Sequence, residues 1–190
     1  MNKTVSEWVV KLHRKKVEYL YGLIGSLLKK KGKILDLGSG SGELTKKLLG
    51  NGYDVTAVDV TDKVKVSGVK VIIYDGRHLP FDDKQFDQTL LITVLHHVPD
   101  YENLLREVAR VSREVIVVED VYDNWWDLIW VKFWDGLLNL EFFGHPHNNK
   151  KDREWKDIFE RLGWKLKDEK RGTIKEILYS FKQKAYRLSV

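Results

Sequence analysis

The sequence predicts a doubly wound α/β fold: a mostly parallel sheet of seven strands, helices on both faces, and a C-terminal antiparallel hairpin. Three observations carry this. Short runs of Val, Ile and Leu alternate with segments of helical spacing, as parallel strands covered on both faces by crossover helices require. A glycine-rich turn, Gly38-Ser-Gly-Ser-Gly42, joins the first such run to a helix. The 190 residues suit one domain, long enough to bury a core without staples.

The elements follow in order. Trp8, Val9, Leu12, Val17, Leu20, Leu23, Ile24, Leu27 and Leu28 recur at helical spacing with Lys and Arg between them, an amphipathic helical region that Gly22 and Gly25 divide. Residues 33–37 form a first strand and 43–49 a helix. Strands follow at 54–58, 69–73 and 86–92. The ten residues from Asp59 to Gly68 leave room for a turn or two of helix at most. Tyr101 to Val111 carries Leu104, Leu105, Val108 and Val111 on one face, and 114–118 is a fifth strand. Lys151 to Leu162 is a helix stopped by Gly163. Strands at 164–167 and 174–181, joined by a turn at Lys170-Arg-Gly-Thr173, complete the sheet as a hairpin. The chain thus divides into a helical region (1–32), a core (33–120), a helical insertion (121–163) and terminal strands (164–190), all one domain (1–190).

Composition excludes several classes. There is no cysteine, so disulfides, thiol catalysis and cysteine-ligated metal are out, and a cytoplasmic home is expected. No apolar run reaches the ~18 residues of a membrane span. Lys and Arg exceed Asp and Glu by 33 − 28 = 5, but the two signs are interleaved, which describes a mixed-charge surface.

The turn at 38–42 carries the chemistry. Glycines let a ligand approach the backbone, and the helix behind offers unsatisfied N–H groups. The spacing is G-x-G-x-G with Glu at position 43, not the G-x-G-x-x-G of a dinucleotide site, and no G-K-[S/T] follows to make a P-loop.

Four segments in order then resemble the class I S-adenosylmethionine-dependent methyltransferases of the small-molecule type. They are Ile-Leu-Asp-Leu-Gly-Ser-Gly-Ser-Gly (34–42), Thr-Ala-Val-Asp (56–59), Tyr-Asp-Gly-Arg-His-Leu-Pro-Phe (74–81) and the segment 86–100, which ends Leu-His-His-Val-Pro-Asp. The resemblance covers residues 33–120. It implies S-adenosylmethionine as cofactor. By the same resemblance, Asp36, Gly38 and Gly40 line its methionine and ribose portion. Asp59, with Val60 beside it, receives the ribose hydroxyls: one carboxylate offers two acceptor oxygens to two adjacent donors. Asp75 and Gly76 meet the adenine, and Ile92 touches the cofactor through its backbone.

Catalytic candidates are His97, after the fourth strand, and Asp120, at the end of the fifth; both sit on the rim where ligands bind in such sheets. His96, His97, His145 and His147 have no carboxylate at fixed spacing, so no metal is expected. Trp125, Trp126, Trp130, Phe133 and Trp134 stripe one helical face over 124–143. This segment is expected either to pack its stripe on the sheet as core or to form a lid over the acceptor, with Trp126, Trp130 and Phe133 facing inward and His145 nearby. Its opposite face holds Asp127, Asp135 and Asn139, unlike the basic face of a membrane-surface helix. The function implied is methyl transfer to a small molecule. The alternatives are an RNA methyltransferase, motivated by the basic balance, and a cofactor-binding module without turnover.

Overall fold

The computed structural model describes residues 3–123, 125–127, 129, 149–176 and 179–190. The elements are α1 (Lys3–Ile24), β1 (Lys33–Leu37), α2 (Glu43–Gly50), β2 (Asp54–Asp59), β3 (Val71–Ile73), β4 (Phe86–Ile92), a 3-10 turn (Leu95–His97), α3 (Tyr101–Val111), β5 (Ser112–Val121), α4 (Asp152–Arg161), β6 (Lys165–Glu176) and β7 (Tyr179–Ser189). The strands form one seven-stranded sheet in the order β3-β2-β1-β4-β5-β7-β6. The first five run parallel; β7 and β6 are antiparallel.

Strand side chains alternate between faces, and each face has its own helices. Ile34, Leu90, Ile116, Val118 and Ala185 pack with Leu20 and Ile24 of α1 and Leu48 of α2. Leu35, Leu37, Leu91, Val115, Val117 and Tyr186 pack with Leu104, Leu105 and Val108 of α3 and Trp155, Ile158 and Phe159 of α4. Each Val, Leu, Ile or Phe among them contributes about 1.5–3 kcal/mol on burial, so both faces hold their helices firmly.

Local signals set the helix ends. Asp100 caps α3, its carboxylate accepting the Asn103 N–H (3.2 Å). Beyond α4, Gly163 takes φ 77° and lets Trp164 N–H return to the Phe159 carbonyl (2.9 Å). Helix α1 runs straight through Gly22, which is exposed. The break falls at Gly25 alone, where the Leu27 and Leu28 N–H groups both turn back to the Ile24 carbonyl (2.8 and 3.1 Å).

The hairpin differs from expectation. Lys170 to Thr173 are not a turn: they lie inside β6, paired with Ala185, Lys184, Gln183 and Lys182 of β7. Gly172 is there for clearance. A Cβ on it would collide with Tyr19 Oη of α1 and come within 3.1 Å of Leu23 Cδ1, so glycine marks a close approach of helix to sheet. Gly172→Val is expected to cost about 1–3 kcal/mol through overpacking, read as a lower melting temperature that Tyr19→Ala partly restores.

Candidate functional site

The carboxyl ends of β1, β2 and β4 meet at the glycine turn. Gly38 and Gly40 sit at φ 78° and 52°, in the left-handed region where a Cβ is costly. The Gly38 and Ser39 N–H groups donate to the Val58 carbonyl (2.8 and 3.1 Å), and the Gly40 N–H donates to Asp59 Oδ2 (2.8 Å). Asp59 Oδ1 accepts from the Val60 and Thr61 N–H groups (2.8 and 3.3 Å). Asp59 is therefore fixed by backbone donors from two segments, and each oxygen keeps acceptor capacity for a ligand.

Asp36 is buried beneath this turn and accepts from Thr45 Oγ1 of α2 (2.5 Å). Loss of solvent pushes its carboxyl up to about 6; the Thr45 hydroxyl opposes this and the Asp59 carboxylate adds to it. The folded chain thus binds the proton more tightly than the unfolded one. Stability falls as pH rises from about 4 through about 6. Asp36→Asn keeps the acceptor for Thr45 and removes the buried charge. Melting curves are expected to show it more stable than the parent near pH 7.5, by about 1–3 kcal/mol. The gain should vanish near pH 4; a constant gain at both values means that the buried charge is not its source.

Val60 and Gly76 are brought together, since a Cβ on Gly76 would lie 3.5 Å from Val60 Cγ1. The Tyr74 N–H donates to the Asp59 carbonyl (3.2 Å), which places the 74–76 segment next to the end of β2. Asp75 Oδ1 accepts from the His78 and Arg77 N–H groups (2.8 and 2.7 Å), and these bonds hold its carboxyl below the usual carboxylate range. Asp75 and Gly76 line a cavity of about 550 Å³ with Val98, Asp100 and Asn103.

Ile92 ends β4, and the next two residues were not singled out from the sequence. Thr93 has φ 55°, uncommon for a β-branched residue, with its N–H on the Val118 carbonyl (2.7 Å) and its hydroxyl on the Ile92 carbonyl (2.7 Å). Val94 follows and lies against Gly38, where a Cβ would come within 2.6 Å of Val94 Cγ2. Ser39 was missed as well. Its Oγ is buried in the glycine turn without a hydrogen-bond partner, and a Cβ on neighbouring Gly40 would meet nothing within 4 Å. A buried hydroxyl without a partner beside open backbone is a fit for a polar ligand.

The two catalytic candidates separate. The His97 ring lies against His96, with centroids 4.0 Å apart and planes tilted by 45°. His96 Nδ1 lies 2.6 Å from Glu119 Oε2, both side chains buried, while Glu119 Oε1 accepts from the Val94 and Leu95 N–H groups (3.0 and 2.7 Å). That unit orders the rim after β4. Asp120, one residue on from Glu119, takes the opposite face, the side of α1, and accepts from Gln183 Nε2 (2.8 Å).

Trp126, expected to face inward, is 59% exposed and stacks on Trp125 at 3.7 Å. The reason is the neighbouring anchor: Asp127 and Asp123 both accept from Lys182 of β7 (2.8 Å each), which turns the acidic side to the sheet and the two indoles outward. Trp130, Phe133 and His145 lie outside the described residues, as does most of the expected lid. Among the described residues no group of three His, Asp or Glu is arranged to hold a metal ion, and no helix is long and apolar enough to cross a membrane.

Comparisons with known proteins bear on this site. Residues 35–115 match the family model described as "Methyltransferase domain". A demethylmenaquinone methyltransferase of Corynebacterium urealyticum is 35% identical over 85 residues, 43% of this chain and 37% of that protein; the chain spans well under half the length of such relatives. Among solved structures, a SAM-dependent methyltransferase of Thermotoga maritima superposes with a TM-score of 0.72 at 18% identity, over 98% of this chain and 94% of that one. Magnesium protoporphyrin IX methyltransferase of Synechocystis, solved with bound SAH, gives 0.64 at 19% identity, over 98% and 88%. At these identities the structural likeness is one of fold.

Proposed function

We propose that the chain, whose residues 35–115 match a methyltransferase domain model, is a class I S-adenosylmethionine-dependent methyltransferase that transfers the cofactor's methyl group to a small-molecule acceptor. The observation that carries the reading is Asp59 at the end of β2, tied to Gly40 of the glycine turn, with Ser39 Oγ unpartnered beside it. In this reading Asp59 receives the ribose hydroxyls, Gly38 and Gly40 admit the ribose and methionine portion, and Asp75, Gly76, Val60 and Ile92 enclose the adenine side. When bound, the sulfonium supplies an electrophilic methyl group and leaves as a neutral thioether. The chain's own part is to align and to exclude water, which accounts for ~7–11 kcal/mol of barrier in well-oriented reactions. The site of action is cytoplasmic in this reading.

A small acceptor is preferred over RNA because basic residues on the β6–β7 side are neutralised locally. Lys182 pairs with Asp123 and Asp127, Arg171 with Asp123, and Lys184 with Glu169 and Asp152. A phosphate-binding stripe needs its cations free.

Calorimetry with S-adenosylmethionine, its demethylated product and NAD tests the cofactor assignment. Binding of the first two and not the third is expected, and tight NAD binding alone sinks the proposal. Transfer of labelled methyl to a panel of small amines and phenols separates an enzyme from a binding module.

A further inference from the structure

The sheet carries a second polar cluster on its α1 face. Ile116 and Val118 of β5 pack toward α1, so Asp120, two residues on, shares that face. Asp120 pairs directly across the ladder with Gln183 of β7, and Gln183 pairs with Gly172 of β6. The three form one row across neighbouring strands, and Gly172 opens the row to Tyr19 of α1, whose ring packs on Ile174 and Phe181.

This row contains polar atoms the protein leaves unsatisfied. Gln183, 2% exposed, donates one amide N–H to Asp120 and keeps Oε1 buried without a partner. Tyr19 Oη is also buried without a partner. Buried polar atoms in native proteins are nearly always hydrogen-bonded, and each unmet one is costly. Two of them flanking Gly172 on one face, from different elements, are the pattern of a ligand subsite. The surroundings are poorly solvated. Desolvation pushes the Asp120 carboxyl up to about 6, with His96, Lys16 and Glu119 as the titratable groups around it. Tyr19 is pushed up to about 12 by burial, and next by the Asp120 charge.

We propose that Tyr19, Asp120 and Gln183 form the acceptor clamp, a subsite that holds the methyl acceptor through an N–H or O–H donor. The chemistry follows from what the row offers. Gln183 Oε1 and the Asp120 carboxylate can only accept, and the Tyr19 hydroxyl can do either, so the complementary group is a donor: an amine or a hydroxyl, not an ether, ketone or ester. The position is apt. Val118 pairs with Ile92 at the end of β4, so Asp120 lies two residues farther out on the neighbouring strand, roughly 7 Å along it. The clamp also selects between the catalytic candidates, placing the acceptor beside Asp120 and leaving His97 to order the rim. These are positioning residues.

The proposal rests on the methyltransferase reading, and the test keeps the two apart. The protein is saturated with the demethylated cofactor product and titrated with three ring probes: p-cresol, benzylamine and 4-methylanisole, which has no donor. The two donors are expected to bind at least tenfold tighter than 4-methylanisole. Gln183→Leu should erase that preference and Tyr19→Phe should reduce it severalfold, both with unchanged affinity for the cofactor product. The clamp is overturned if 4-methylanisole binds as well as the donors, if no probe binds, or if both variants keep the preference. It is also overturned if a crystal structure with p-cresol shows Gln183 Oε1 and Tyr19 Oη bonded to an ordered water only. Should Gln183→Leu fail to fold, the near-isosteric Tyr19→Phe decides. Failure of the parent to bind the cofactor product overturns the function proposed above instead.

Discussion

Asp59→Ala is expected to weaken S-adenosylmethionine binding by roughly a hundredfold, about 2.7 kcal/mol. Two effects combine. In the proposed role the variant loses two charge-assisted hydrogen bonds to the ribose, each worth ~1.5–3 kcal/mol before water recovers its share. It also frees the Gly40, Val60 and Thr61 N–H groups that the carboxylate now holds, so the glycine turn no longer waits in one shape and its ordering is charged to binding. Asp59→Asn loses the charge and keeps one acceptor oxygen, so it holds either the Gly40 N–H or the Val60 and Thr61 N–H groups but not both, and an intermediate affinity is expected. Calorimetry on both folded variants measures this. Unchanged affinity in Asp59→Ala means that the ribose partner lies elsewhere, with Asp62, whose Oδ1 accepts from the Val64 N–H (3.2 Å), the next to test.

Trp155→Ala is expected to cost about 3–5 kcal/mol of stability, a melting temperature lower by roughly 6–20 °C for a chain of this size. Trp155 is fully buried on α4. Its ring stacks on Phe159 (6.1 Å, 15°) and meets Tyr101 of α3 edge-on (5.9 Å, 76°), so truncation opens a cavity between two helices and the sheet. Trp126→Ala is the contrast. An indole 59% exposed should change stability by no more than about 0.5 kcal/mol and leave cofactor affinity alone, while impairing methyl transfer if its segment is the lid. Thermal melts of the two variants side by side check both statements; equal losses show that Trp126 is as much a core residue as Trp155.

The residues proposed to face the cofactor could be named from the sequence because the segments that carry the resemblance are local. A glycine turn between a strand and a helix, and an acid at a strand's end, occupy consecutive residues whose backbone needs are written in residue type. Asp36, Gly38, Gly40, Asp59, Val60, Asp75 and Gly76 were named as a set through the resemblance that these segments carry. Ser39 and Thr93 were not. A serine is ordinary in such a turn, and nothing in a threonine's identity announces φ 55°; the Val118 carbonyl on the next strand helps hold it there.

The sequence by itself determined the α/β class, the strand and helix succession and the glycine-turn site, since hydrophobic period and glycine spacing act over a few residues. Tertiary structure alone decided three things. Gly172 reads as a turn until α1 packs on it, because clearance for Tyr19 is a property of two segments distant in sequence. Glu119 and Asp120 are indistinguishable neighbours on paper, yet strand alternation sends one to His96 and the other to Gln183. Gln183 and Tyr19 carried no signal in the chain, since a buried polar atom is unmet only with respect to everything the fold brings around it.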